Sequence, residues 1–247
     1  MAQESDRGQR NAKMPFTAHL EELRSRLIKS LLAVGIAFLA CFAFAETIFS
    51  VLTAPLLRLQ TPGLTLIGTG VAEAFFTKIK VSFVGSLLLS LPVTLWQGWQ
   101  FIAPGLYEHE RRYTRQFVFF GTLFFVLGAW FCYRVIFEVG YEFFLRRYEA
   151  MEIRPAIRIG EYLSFSSKLL LAFGIAFELP VLAYFLTRIG LIDHRFLIRQ
   201  FRYAILLIFV LAAVLTPPDV VSQVLLAVPL TTLYGVSIAV AYAARKK

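Results

Sequence analysis

Apolar residues gather into six long blocks, at about residues 31–52, 75–96, 117–137, 163–186, 203–215 and 220–242, with polar and charged segments between them. A helix crosses the hydrocarbon core when it holds about 20 apolar residues, because a rise of ~1.5 Å per residue then covers ~30 Å. Five blocks reach that length. The fifth in order, at about 13 residues, covers only ~20 Å, and Pro217-Pro218 forces a tight turn directly after it. The pattern predicts an all-α polytopic membrane protein with six transmembrane helices. Its fifth and sixth spans are expected to form a short hairpin, shielded by its neighbours or thinning the bilayer locally. No internal repeat, parallel or inverted, is visible.

Lysines and arginines orient the spans. Arg7, Arg10, Lys13, Arg24, Arg26 and Lys29 precede the first block, and only Arg58 follows it. Arg111, Arg112 and Arg115 follow the second block, Arg188, Arg195, Arg199 and Arg202 the fourth, and Arg245, Lys246 and Lys247 end the chain. With both termini cytoplasmic, all of these except Arg58 fall on the cytoplasmic side. Arg146, Arg147, Arg154 and Arg158 then lie outside and argue against the assignment, but the N-terminal bias and the even number of spans outweigh one loop. Residues 1–15 are expected to be a disordered cytoplasmic tail, 16–242 one membrane domain and 243–247 a basic cytoplasmic tail.

Composition agrees with this class. The 247 residues are 58% hydrophobic and only 17% charged, where a soluble domain is about a quarter charged. The net charge of +9 is the cation excess of cytoplasmic loops rather than a nucleic-acid surface. Cys41 and Cys132 each sit inside an apolar block and read as packing residues. The first 30 residues show no apolar run followed by a small-residue cleavage site, so no removable signal peptide is expected.

Four stretches carry candidate chemistry. In "HLEELRSRL" (19–27), Pro15 and Thr17 begin a helix in which Phe16, Leu20, Leu23 and Leu27 form an apolar stripe for the membrane surface or the bundle. Glu21, Glu22, Arg24 and Arg26 point elsewhere; Glu22 with Arg26 and Glu21 with Arg24 have the spacing of weak ion pairs along one helix. In "FIAPGLYEHERR" (101–112), Pro104-Gly105 breaks the second span as it leaves the membrane, and Tyr107 suits the interface. Glu108, His109 and Glu110 follow. Taken alone, they offset Arg111 and Arg112 in a solvated loop.

"FGIAFELP" (173–180) places Glu178 near the middle of the fourth span, where a charged group costs on the order of 2.5–3.5 kcal/mol. Its carboxyl has two available roles: a structural hydrogen bond to a backbone carbonyl freed by Pro180, or a functional polar patch. "LTPPDVVSQVLLAVPL" (215–230) offers Asp219 as the N-cap of the last span and Gln223 one turn in. The chain has no HExxH, GxSxG or glycine-rich phosphate loop. Its three histidines, His19, His109 and His194, occupy separate segments. No catalytic centre, metal or cofactor is expected.

Taken together, in this order and spacing, the four stretches resemble the TatC family, the six-span receptor subunit of the twin-arginine protein translocase. The similarity runs from about Phe16 to Tyr242, and "TPPDVVSQ" is its most specific part. The resemblance implies a non-enzymatic multi-pass protein of the bacterial inner membrane that binds twin-arginine signal peptides of folded precursors. It further implies TatB- and TatA-like single-span partners, self-association in a receptor complex, and transport driven by the proton-motive force. By motif position, Glu22 and Glu110 match the family's cytoplasmic carboxylates that contact the two arginines. Arg24, Phe101 and Tyr107 fall on motif positions of the same face, and Pro55, Glu178, Asp219 and Gln223 on intramembrane or partner-contact positions. Glu108 departs from the pattern, adding an acid where some relatives carry a base, and is a further candidate for arginine contact. Two other classes compete with this reading. A six-span carrier of cationic solutes would usually show repeats and several intramembrane polar groups, and a membrane hydrolase would need a nucleophile–base pair.

Overall fold

The computed structural model describes residues 16–59, 63–102 and 114–244, with side chains described outside 16–19, 102 and 114. The helices are α1 (Phe16–Ala43), α2 (Ala45–Leu57), α3 (Glu73–Ile102), α4 (Thr114–Phe131), α5 (Phe137–Ala150), α6 (Ile159–Arg188), α7 (His194–Arg199), α8 (Phe201–Leu215) and α9 (Val220–Ala244). A π-helical turn, Cys132–Ile136, joins α4 to α5, so the two form one rod. Five stretches are long and apolar enough to cross a membrane: Leu20–Ala43, Glu73–Phe101, Arg115–Ala150, Ile159–Arg188 and Val220–Ala244. With α8 as the sixth, these are the transmembrane helices.

Two boundaries differ from the apolar blocks, each for a physical reason. The first block is not one helix: α1 starts before residue 31 and stops at Ala43, and the chain bends at Phe44, whose N–H bonds to the Cys41 carbonyl at 3.2 Å. A bend inside an uninterrupted apolar run leaves no trace in periodicity. The third span continues to Ala150, because Phe137, Tyr141 and Leu145 of α5 keep a buried stripe at four-residue spacing although charges surround it. The rod α4–α5 is ~55 Å long by helical rise, longer than a ~30 Å hydrocarbon core requires. The hairpin is short on one arm only. The α8 helix has 15 residues, or ~22 Å, but α9 has 25 and runs on through Pro229.

The long helices pack in the order α1, α3, α4, α6, α9, α8. Small residues let them approach. Gly85 of α3 meets Cys41 of α1, and an added Cβ there would lie 3.1 Å from its Sγ. A Cβ on Gly128 of α4 would lie 2.5 Å from the Phe173 carbonyl of α6, and one on Gly174 would lie 2.6 Å from the Phe125 ring. Without a hydrophobic drive between helices in lipid, such close backbone approach supplies the packing energy.

At the end opposite the α1 N-terminus, strands β1 (Thr65–Ile67) and β2 (Ala156–Arg158) pair in parallel, Leu66 opposite Ile157. Glu73 fastens this cap, accepting bonds from the N–H groups of Gly70 at 3.1 Å and Gly160 at 2.9 Å, and from Thr69. Pro55, buried in α2, has no N–H to give the Val51 carbonyl four residues earlier. The Tyr133 hydroxyl donates to that carbonyl at 2.8 Å, and Tyr162 donates to the Leu52 carbonyl at 2.7 Å. These two bonds, one turn before Pro55, tie α2 to the third and fourth spans.

Candidate functional site

On α1, the helical repeat turns Glu22, Arg26 and Ser30 inward, while Leu20, Leu23 and Leu27 lie outward with about half their surface exposed. The apolar stripe therefore serves the membrane side and the polar residues face the bundle. Arg26 lies at their centre. Its Nη2 donates to Glu22 Oε1 at 3.2 Å, and its Nη1 donates to the side-chain oxygens of Gln97, at 3.3 Å, and Gln100. Gln97 and Gln100 stand on the last two turns of α3, so one guanidinium joins the start of the first span to the end of the second. The Glu22 side chain keeps 18% of its surface exposed. Among the described residues its Oε2 accepts no hydrogen bond.

The pair Glu22–Arg26 foreseen from helical spacing is present; Glu21 and Arg24 are both exposed. Phe101 follows Gln100 in the same turn and is half-buried. Tyr107, Glu108 and Glu110 lie outside the described residues. Sequence reading missed Gln97 and Gln100 as partners. The signal was present in "WQGWQ", whose two glutamines at three-residue spacing share one helix face.

The second feature lies within the membrane. Glu178 is 7% exposed, and neither of its carboxylate oxygens has a hydrogen-bond partner among the described residues. The bond to a carbonyl freed by Pro180, one of its two expected roles, is not made. The carboxyl rests instead against α3 and α4: a Cβ on Gly121 would lie 3.1 Å from its Oε2 and 3.0 Å from Leu95 Cδ1. Beside it, Trp99 stacks on Phe117 at 4.4 Å, with Val181 and Phe185 completing an apolar cluster. An unpaired buried polar group costs ~1–3 kcal/mol, so Glu178 is a standing expense to the isolated fold.

The third feature is the α8–α9 hairpin. Asp219 caps α9 as expected: its Oδ2 accepts the Ser222 N–H at 3.0 Å, and its Oδ1 lies 3.9 Å from Arg147 of α5. Those contacts, the Ser222 N–H first, hold its carboxyl below the usual aspartate range. Gln223 reaches across the hairpin and donates from Nε2 to the Phe209 carbonyl at 2.9 Å. Among the described residues, the structure thus places the predicted ones at four separate stations: the outer turns of α1 and α3, the α3–α4–α6 contact, the hairpin, and Pro55 on α2. Among the described residues no group of three or more His, Cys, Asp or Glu is placed to hold a metal ion.

Residues 18–229 match the family described as Sec-independent protein translocase protein (TatC). TatC of Campylobacter jejuni is 46% identical over 221 residues, covering 89% of this chain and 90% of its own length. TatC of Desulforapulum autotrophicum is 44% identical over 227 residues, covering 92% and 83%. A crystal structure of the twin-arginine translocase receptor TatC superposes with a TM-score of 0.83 at 38% identity, covering 92% of this chain and 99% of its own.

Proposed function

Because the chain belongs to the TatC family of Sec-independent protein translocases, we propose that it reads the two arginines of a signal peptide with Glu22 and Glu110 at the cytoplasmic face. It is a multi-pass membrane protein and a transport component rather than an enzyme. The observation that carries the reading is Glu22: inward-facing, partly exposed, held in place by Arg26, and with one carboxylate oxygen open among the described residues. A guanidinium is a planar fork of donors that a carboxylate accepts two at a time. Two adjacent arginines therefore call for two acidic acceptors on separate supports, which the α1 turn and the segment after α3 supply. Arg24, Phe101, Tyr107 and Glu108 belong to the same face in this proposal.

Magnitudes divide the work. Charge-assisted bonds in a partly dry site are worth ~1.5–3 kcal/mol each, so two give ~3–6 kcal/mol, or roughly millimolar to tens-of-micromolar binding. The apolar part of the signal peptide supplies the remainder along the spans. Glu178 then serves as the intramembrane contact for a single-span TatB- or TatA-like helix, whose polar group would satisfy a carboxyl left unpaired among the described residues. Asp219, Gln223 and Pro55 belong with Glu178 to the intramembrane and partner-contact set in this proposal. Receptor units associate with one another and with these partners in the bacterial inner membrane, both termini cytoplasmic, and translocation of folded precursors draws on the proton-motive force.

Crosslinking of a twin-Arg signal peptide, compared with its twin-Lys variant, tests the receptor reading. Strong preference for twin-Arg is expected; equal labelling would favour a nonspecific anionic surface. In intact cells, an impermeant thiol reagent should label a cysteine placed near Arg154 and spare one at residue 3. The reverse result would invert the orientation.

A further inference from the structure

Between α3 and α4 runs an apolar groove of about 540 Å³, lined among others by Pro92, Trp96, Val118, Thr122 and Val126, with Arg115 at its mouth. Arg115 is exposed and has no ion-pair partner among the described residues. The groove lies on the same side of the membrane domain as Glu22, since α3 ends and α4 begins there.

The geometry points to a binding site for one anionic phospholipid, its acyl chain in the groove and its phosphate on the Arg115 guanidinium. Length chooses between occupants. From Arg115 to Val126 the helix rises ~16 Å, close to the ~15 Å of one leaflet's hydrocarbon. An acyl chain fills one leaflet; a spanning helix needs ~30 Å and would leave half its length without a groove. Charge chooses the headgroup. The mouth carries the Arg115 guanidinium, which takes a phosphate bidentately. Trp96 marks the level, since tryptophan settles where headgroups meet hydrocarbon. A basic mouth above a cleft between spans is the arrangement that recognises anionic headgroups. The inference stands apart from signal-peptide reading, which rests on Glu22 and Glu110.

The test uses the full chain in phosphatidylcholine vesicles, with Trp99→Phe and Trp130→Phe leaving Trp96 as the reporter. Brominated phosphatidylglycerol at low mole fraction should quench Trp96 as if enriched about fivefold over brominated phosphatidylcholine, the equivalent of ~1 kcal/mol for one cation at the surface. Arg115→Gln should abolish that preference. Where the tryptophan variants fail to fold, native mass spectrometry of the unaltered chain and of Arg115→Gln gives the same comparison, as phosphatidylglycerol retained. Equal quenching by the two lipids, or undiminished preference in Arg115→Gln, overturns the proposal. Displacement of the lipid signal by a single-span helical peptide would assign the groove to a helix and overturn it as well.

Discussion

Arg26 bridges Glu22 on its own helix, at 3.2 Å, to Gln97 and Gln100 on α3, so the proposed arginine reader is itself held by an arginine. The arrangement separates binding from stability. A pair at this spacing along one helix contributes only ~0.2–0.5 kcal/mol to the fold, and Arg26 keeps its glutamine partners when the carboxylate is neutralised. A ligand guanidinium has no such substitute.

Glu22→Gln should therefore weaken crosslinking of a twin-Arg signal peptide by at least about tenfold, from ~1.5–3 kcal/mol of charge-assisted bonding, while thermal unfolding in detergent stays nearly unchanged. Glu110→Gln should lower crosslinking similarly, and Glu110→Asp less, since it keeps the charge. Wild-type crosslinking by both Gln variants would reduce the carboxylates to solvated decoration.

Glu178 should behave in the opposite way. Its oxygens bond to nothing described, so Glu178→Leu removes an unpaired polar group and should raise stability by ~1 kcal/mol. Glu178→Leu and Glu178→Ala should leave twin-Arg peptide binding mostly intact and lower co-purification of a single-span partner. Co-purification at wild-type level would deny Glu178 a role in partner contact.

Close backbone approach between α4 and α6 can be probed at Gly128. The Cβ of Gly128→Ala would lie 2.5 Å from a backbone carbonyl, which cannot swing aside as a side chain can. The helices must part, at a cost of ~1–3 kcal/mol or more. Gly235→Ala, with nothing within 4 Å of the new Cβ, is the control and should be neutral or slightly stabilising. Equal melting temperatures for the two variants would contradict the packing described.

Asp219 gives a pH test. Its folded carboxyl sits below the ordinary value of about 3.9 because the Ser222 N–H favours the charged form. A depressed folded value stabilises the protein above the unfolded value, and that contribution fades as pH falls through the folded one. The wild-type hairpin should thus lose stability on acidification below about pH 4. Asp219→Asn, which can still cap α9 but does not titrate, should lack that component. Identical acid-unfolding curves would place the relevant carboxylates elsewhere.

Much of this protein was determined by sequence alone. Apolar block length sets the number of spans, because lipid leaves the backbone no alternative to internally bonded helices. The Pro-Pro turn sets the hairpin, and the Asp219 cap is local chemistry that needs no distant partner. Individually ambiguous acids became a coherent site only through their shared order along the chain, which carries the family resemblance. Other features depended on contacts between residues far apart in sequence. The bend at Phe44 and the extension of the third span into α5 follow from packing, to which hydropathy is blind. Glu22 could have been one half of an ordinary surface pair. Its inward orientation comes from α3 lying alongside α1, which brings Gln97 and Gln100, more than 70 residues away, to the same guanidinium. Glu178 shows the same division: the sequence puts a carboxyl in an apolar span, but whether it finds a hydrogen bond there is decided by the neighbouring helices, and at Gly121 and Leu95 they offer none.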